Sequence, residues 1–207
     1  DASVRQAVAN NLSAPSQTDV LLAKDDDIDV RGDLVGKIAR LMPNLSADEQ
    51  DKARRNTHEA LEVLARDQIT KVRGILSDTL KDIVNAPADV IKTLAMDTEI
   101  EVSGPVLEFS PVLSDDDLVQ IIEQGPAKGG MNAISKRASV TEVVSDAIVG
   151  TDDIDAIADL LSNDSAQIRE STLDDLIERA PEIDLWHAPL VGRPKLPNGA
   201  EIKLANF

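Results

Sequence analysis

Apolar residues recur along this chain at helical rather than strand spacing. One run reads Val72, Ile75, Leu76, Leu80, Ile83 and Val84, and a later one Ile168, Leu173, Leu176, Ile177 and Ala180. Residues three and four apart share one side of a helix, so each run predicts an amphipathic helix with one buried face. Leu61-Leu64-Ala65, Leu118-Ile121-Ile122 and Val143-Val144-Ile148 predict three more. Start signals precede these three. Ser46-Ala47-Asp48-Glu49 and Ser139-Val140-Thr141-Glu142 have the form of capping boxes, and Ser114 is followed by Asp115, Asp116 and Asp117. Pro43, Pro87, Pro111 and Gly125-Pro126 punctuate between helices, while Pro105 is tolerable only in a first turn or as a kink. Beyond Pro181 the periodicity lapses. Pro189, Pro194, Pro197 and Gly199 there predict an extended C-terminal cap.

A repeat runs beneath this pattern. Leu22-Ala23-Lys24-Asp25, Leu64-Ala65-Arg66-Asp67 and Leu94-Ala95-Met96-Asp97 share one signature, and a valine stands five residues after each aspartate: Val30, Val72 and Val102. The next residue is Arg31, Arg73 and, departing from the pattern, Ser103. A fourth copy centres on Asn163, followed by Ile168-Arg169, and a degenerate one falls at Ile134-Ser135-Lys136-Arg137. Val4-Arg5 reads as a further copy whose first helix is cut off. In each unit one helix should end near Leu-Ala and a second begin around Val-Arg. The aspartate in the turn then accepts the free N–H groups that open the second helix. Arg31, Arg73 and Arg169 recur at one position, so each is expected to pair with the turn Asp or Asn of a neighbouring unit. Asp25, Asp67, Asp97 and Asn163 are thus structural positions. A single helical pair cannot bury such a face alone, so neighbouring pairs must stack.

Composition narrows the functional classes. The 207 residues hold no cysteine, which excludes disulfides, thiolate metal sites and a cysteine nucleophile. Aromatic residues are limited to Phe109, Trp186 and Phe207. The net charge is −17, and it is concentrated: residues 97–184 hold 21 acids and 5 bases, whereas the rest is nearly balanced. Nucleic-acid binders need stacking aromatics or phosphate-neutralising cations, and this chain is rich in neither. A basic protein is the natural complement. No stretch approaches the roughly 20 apolar residues of a membrane span. Nor does a charged-then-apolar leader open the chain, so the expected compartment is the cytoplasm.

Candidate chemistry is sparse. His58 lies among Arg54, Arg55, Glu59 and Glu62 and reads as a solvated surface histidine, and His187 as a cap residue buried against the repeat end. Asp25-Asp26-Asp27-Ile28-Asp29 lacks the glycine and terminal glutamate of a calcium loop. The runs at Asp115–Asp117 and Asp152-Asp153 suit helix N-termini. Gly125-Pro126-Ala127-Lys128-Gly129-Gly130 lacks the spacing of a phosphate loop. No catalytic residue, metal ligand or cofactor is assigned.

Three segments carry a family resemblance: Leu94-Ala95-Met96-Asp97 through Ser110-Pro111-Val112-Leu113-Ser114-Asp115-Asp116-Asp117-Leu118; Ala133-Ile134-Ser135-Lys136-Arg137 with Leu160-Leu161-Ser162-Asn163 and Ala166; and Arg193-Pro194-Lys195-Leu196-Pro197. They resemble HEAT-like repeats and, more narrowly, the uncharacterised bacterial family DUF2336, over about two thirds of the chain. The resemblance implies an all-helical, intracellular solenoid, typically alphaproteobacterial, with no established activity and no catalytic residues to carry over.

The fold expected is all-α: a HEAT-like α-solenoid of roughly five to six helical hairpins. Its parts would be an N-terminal helical part at 1–45, a repeat body at 46–180 and the extended cap at 181–207. The function expected is a non-catalytic scaffold or regulatory adaptor. Its acidic surface, Glu108 with Glu170, Asp174, Asp175 and Glu178, would meet a basic protein partner. The competing readings are an enzyme or small-ligand-binding protein on the same frame, and a self-associating module such as a homodimer.

Overall fold

The apolar runs at helical spacing become helices whose buried faces meet one another. A computed structural model describes residues 1–45, 51–194, 196, 197, 199, 202 and 204. In chain order its helices are α1 (Ala2–Asn10), α2 (Ser16–Leu22), α3 (Ile28–Leu41), α4 (Lys52–Ala65), α5 (Thr70–Leu80), α6 (Ala88–Ala95) and α7 (Ile100–Phe109). They continue as α8 (Asp115–Gln124), α9 (Gly130–Ser135), α10 (Glu142–Val149), α11 (Ile154–Ser162), α12 (Glu170–Arg179) and α13 (Asp184–Gly192). The described residues form no strand. Their regular extended pairing is confined to an isolated bridge between Val140 and Ala166. No described helix is long and apolar enough to cross a membrane.

Two compact units are present: Asp1–Val106 with Ser110–Leu113, and Leu107–Phe109 with Ser114 onward. In the first unit alternate helices stack, α1 on α3 and α3 on α5, with α2 on α4 and α4 on α6. Val30, Leu34 and Ile38 of α3, Val72, Leu76 and Leu80 of α5, and Ile91 and Leu94 of α6 are fully buried between them. In the second unit α8 packs on α10, while α9, α11 and α13 follow one another. Ile134, Ile148, Ile157, Leu160, Leu176 and Trp186 are buried there.

Several local expectations need correction. The Ser46–Glu49 box lies outside the described residues, and α4 opens later, at Lys52, where the Asp51 carboxylate accepts the Ala53 and Arg54 N–H groups. The Ser139 box does not form. Val140 is drawn into the bridge, so Thr141 becomes the cap residue, but its hydroxyl donates to Asp115 and accepts no N–H of its own helix. Ser114 and Asp117 do cap each other reciprocally. Ile83 and Val84 lie beyond α5, in a turn where Asp82 and Asn85 supply turn-forming chemistry; Val84 is 80% exposed. Ile168 likewise precedes α12. Pro105 sits past the first turn of α7, so the Glu101 carbonyl lacks its helical donor.

Residues 184–192 are not extended but form α13, although Pro189 lies within it. Burial overrides the proline. Trp186 and Leu190, four apart, are both inaccessible, and the Trp186 indole N–H donates to the Ile154 carbonyl at 3.0 Å. A fully buried ion pair was also invisible in the sequence: Lys37 Nζ of α3 stands 2.6 Å from Asp19 Oδ1 of α2. Burial pushes the Asp19 carboxyl up from its ordinary value, and the hydrogen bond and charge of Lys37 recover only part of that.

Backbone packing imposes one sharp requirement. A Cβ at Gly130 would stand 2.8 Å from the Pro126 Cβ and 3.2 Å from a Leu107 methyl. Gly36, inside α3, has open space at the same position. Gly130→Ala should therefore cost about 1–3 kcal/mol by overpacking. Gly36→Ala should stabilise by about 0.5–1 kcal/mol through helix propensity. Urea unfolding of the two variants checks both signs.

Candidate functional site

One arrangement recurs through the loops of the first unit. In α1, α3 and α5 the third helical residue is Val4, Val30 or Val72, and the fourth is Arg5, Arg31 or Arg73. A long side chain on a helix leans toward its N-terminus, so a fourth-position arginine lies over the loop that opens its own helix. Arg73 donates to the Asp67 carbonyl there at 2.7 Å, and Arg31 donates likewise to the Asp25 carbonyl. The same guanidinium reaches the aspartate of the next loop. Arg5 meets Asp25 through bonds of 2.6 and 3.0 Å, and Arg73 meets Asp97 through bonds of 2.5 and 3.1 Å. Arg31 pairs with Asp67 at 2.6 Å.

Each aspartate is engaged a second time. Asp25, Asp67 and Asp97 accept the N–H two residues on, from Asp27, Ile69 and Glu99, at 3.0, 2.8 and 2.9 Å. In all three loops that N–H belongs to the residue that caps the following helix. The inner pairs are well shielded: both side chains of Arg31–Asp67 are 9% exposed, against 41% for the outer Arg5. The Arg5 hydrogen bond holds the Asp25 carboxyl below its ordinary range, with burial opposing. For Asp97 burial raises the carboxyl, but the Arg73 hydrogen bond and charge together with the Glu99 N–H outweigh it and lower the value. The series stops at α7, whose fourth residue is the buried Ser103; its hydroxyl turns back to the Glu99 carbonyl at 3.3 Å.

The second unit solves the same problem with less charge. Asn163 Oδ1 accepts the Ser165 N–H at 3.1 Å, while its amide donates to the Ser135 and Arg137 carbonyls, both at 2.8 Å. An aspartate could not donate, which gives the asparagine its physical reason. Arg193 donates to the Leu161 and Ala166 carbonyls at 3.1 and 2.9 Å, and Arg137 to the Leu107 carbonyl at 2.6 Å. Burial lowers both guanidinium values, with nearby acids opposing. Arg169 departs from the expectation of a turn Asp or Asn partner, pairing instead with Glu142 at 3.3 Å and with Asp146 of α10. The loop after Asn163 is longer than its counterparts, so Arg169 caps α12 from outside the helix instead of standing at its fourth position.

The predicted acidic surface falls mainly on α12. Glu170, Asp174 and Glu178 follow one another four residues apart and share a face, with Asp175 beside them. Glu170, Asp175 and Glu178 are exposed and Asp174 is half-buried. Glu108 is half-buried on a different helix, α7. Three cations of this segment are committed elsewhere. Lys136 pairs with Asp159 at 3.1 Å, Arg169 with α10, and Arg179 with Asp152 at 2.8 Å while lying over the Trp186 ring. Among the described residues, Glu170, Asp174 and Asp175 enter no ion pair.

A separate cavity of about 440 Å³ opens in the first unit, lined by Met42, Leu45, Arg54, Thr57, His58, Asn85 and Asp89 among others. His58 Nε2 lies 2.8 Å from Asp89 Oδ2, and the donor atoms of His58, Glu62 and Asp89 all lie within 4.8 Å of one another. His58 is therefore not merely solvated. The four-residue spacing of His58 and Glu62 on one helix was a legible signal, whereas Asp89 is brought in from α6 by the fold. His187, half-buried, contacts the Ala180 carbonyl through Nε2 at 2.7 Å.

A family model described as an uncharacterised protein conserved in bacteria (DUF2336) matches residues 102–206, just over half of the chain. It takes in Asn163, Arg169, Glu108 and the whole of α12; the loops of Asp25, Asp67 and Asp97 precede it. No curated protein and no solved structure matches the chain.

Asp97 makes the loop geometry testable through pH. A lowered carboxyl contributes stability in full above its unfolded value, about 4, and loses it as pH falls through the folded value. Asp97→Asn should therefore cost about 1–3 kcal/mol at pH 7. The gap to wild type should narrow as pH is lowered from about 5 to about 3. Urea unfolding across that range would show it; a gap independent of pH would rule out the charged pair as its source.

Proposed function

The chain belongs to the DUF2336 family, and we propose that it is a cytoplasmic, non-catalytic protein-interaction module whose α12 face receives a basic partner. The observation that carries the reading is the row of carboxylates on α12, of which Glu170, Asp174 and Asp175 enter no ion pair among the described residues, while Arg169 is tied to α10, Arg179 to Asp152 and Lys136 to Asp159. Like charges four apart weaken an isolated helix by about 0.2–0.5 kcal/mol per pair. A cationic partner would relieve that repulsion and gain rate from the field around it. The frame we propose is a HEAT-like solenoid, a reading supported by the alternate stacking of helices within the first unit.

A second reading, binding of a small ligand, is favoured by the cavity beside His58. It concerns the first unit and leaves the α12 reading untouched.

The quadruple variant Glu170→Gln, Asp174→Asn, Asp175→Asn and Glu178→Gln separates surface charge from stability. We expect it to unfold at the wild-type temperature or slightly above, because repulsion is removed. Used as bait in bacterial lysate beside the wild type, it should lose a basic protein that the wild type releases at moderate salt. Retention of the same partner with the same salt profile would sink the acidic-face proposal.

A further inference from the structure

We propose that His58, Glu62 and Asp89 form a binding site for a divalent transition-metal ion, with Zn2+ as the reference cation, at the wall of the first unit's cavity. His58 and Glu62 stand one turn apart on α4 and project from one face. Asp89 is the second residue of α6, which packs on α4. Two carboxylates and one imidazole thus converge from two helices, with donor atoms within 4.8 Å of one another. Metal–ligand bonds of about 2.0–2.2 Å place neighbouring donors roughly 3–3.5 Å apart. The 2.8 Å between His58 Nε2 and Asp89 Oδ2 is already close to such an edge, and a Glu62 carboxylate oxygen lies within 4.8 Å of both.

Glu62 distinguishes this arrangement from a simple histidine–aspartate pair. That pair is complete with two members. A second carboxylate brought to a single imidazole adds repulsion unless a cation sits among them, and the Arg66 that approaches Glu62 is 3.8 Å away and 64% exposed.

The donor chemistry selects the class of metal. One imidazole nitrogen with two carboxylates suits zinc, manganese, iron or cobalt, whereas calcium and magnesium favour all-oxygen shells. Three protein ligands leave coordination positions open. Since His58 and Asp89 line the cavity, those positions would face it, beside Arg54, Thr57 and Asn85. Such lining favours an anionic or water ligand on the metal. To bind, His58 presents the Nε2 lone pair and keeps its proton on Nδ1, and the metal replaces the hydrogen bond to Asp89.

The test uses the untagged full chain, stripped with chelator and titrated with Zn2+ by calorimetry in the presence of excess Mg2+, which occupies nonspecific acidic sites. Co2+ titration followed by visible absorption reports nitrogen–oxygen ligation directly. We expect one Zn2+ per chain, with His58→Ala, Glu62→Gln and Asp89→Asn each weakening it by at least about tenfold. The neighbouring exposed Glu59→Gln should bind as wild type does, and circular dichroism should show the same helix content in all variants. Zinc binding that Mg2+ abolishes, or that survives His58→Ala, would overturn the site. An unchanged affinity in Glu62→Gln would reduce it to the histidine–aspartate pair and equally overturn the proposal.

Discussion

An arginine at the fourth position of a helix, held between the loop that opens its own helix and the aspartate of the next loop, sets the register in which the helices of the first unit stack. Apolar burial alone would let such helices slide, because leucine and valine faces are tolerant of small shifts. A guanidinium with fixed donor directions is not tolerant. Arg31 joins the Asp25 carbonyl to the Asp67 carboxylate, and Arg73 joins the Asp67 carbonyl to the Asp97 carboxylate. The same aspartates satisfy the N–H of the residue capping the next helix, so capping and stacking share one side chain. Loss of either partner would leave a charge largely shielded from water, which is costly.

The second unit departs from this scheme. The series already stops within the first unit, at Ser103 of α7, and in the second unit the loop position of the aspartates is held by Asn163, whose amide joins backbone carbonyls instead. Arg137 and Arg193 likewise donate to backbone carbonyls. Glu170, Asp174 and Asp175 of α12, part of the surface on which the proposed function rests, enter no ion pair among the described residues.

Helix identity and loop chemistry were readable in the sequence because both are local. The Leu-Ala ends at Leu22, Ala65 and Ala95, the turn aspartates and the Val-Arg starts all stand within one turn of the features they determine. Whatever depended on distant packing was not readable. Trp186 and Leu190 are buried in a helix despite Pro189, which a local reading treats as a breaker. Asp19 and Lys37 look like surface charges until α2 and α3 close over them. Arg169 kept its sequence register but lost its structural one, because a longer loop shifted it out of the helix. Where His58, Glu62 and Asp89 converge, the spacing of His58 and Glu62 was visible and Asp89 was not, since α6 supplies it through the fold.

A double-mutant cycle on Arg31 and Asp67, using Arg31→Ala, Asp67→Ala and the double variant in urea unfolding at neutral pH, tests the loop-to-loop arginine most directly. If that arginine sets the stacking register, the two residues should be coupled by about 1–3 kcal/mol, with the double variant far less damaged than the two single losses combined. Effects that add to within about 0.5 kcal/mol would mean that the residues act independently, and that apolar packing alone holds the helices in place.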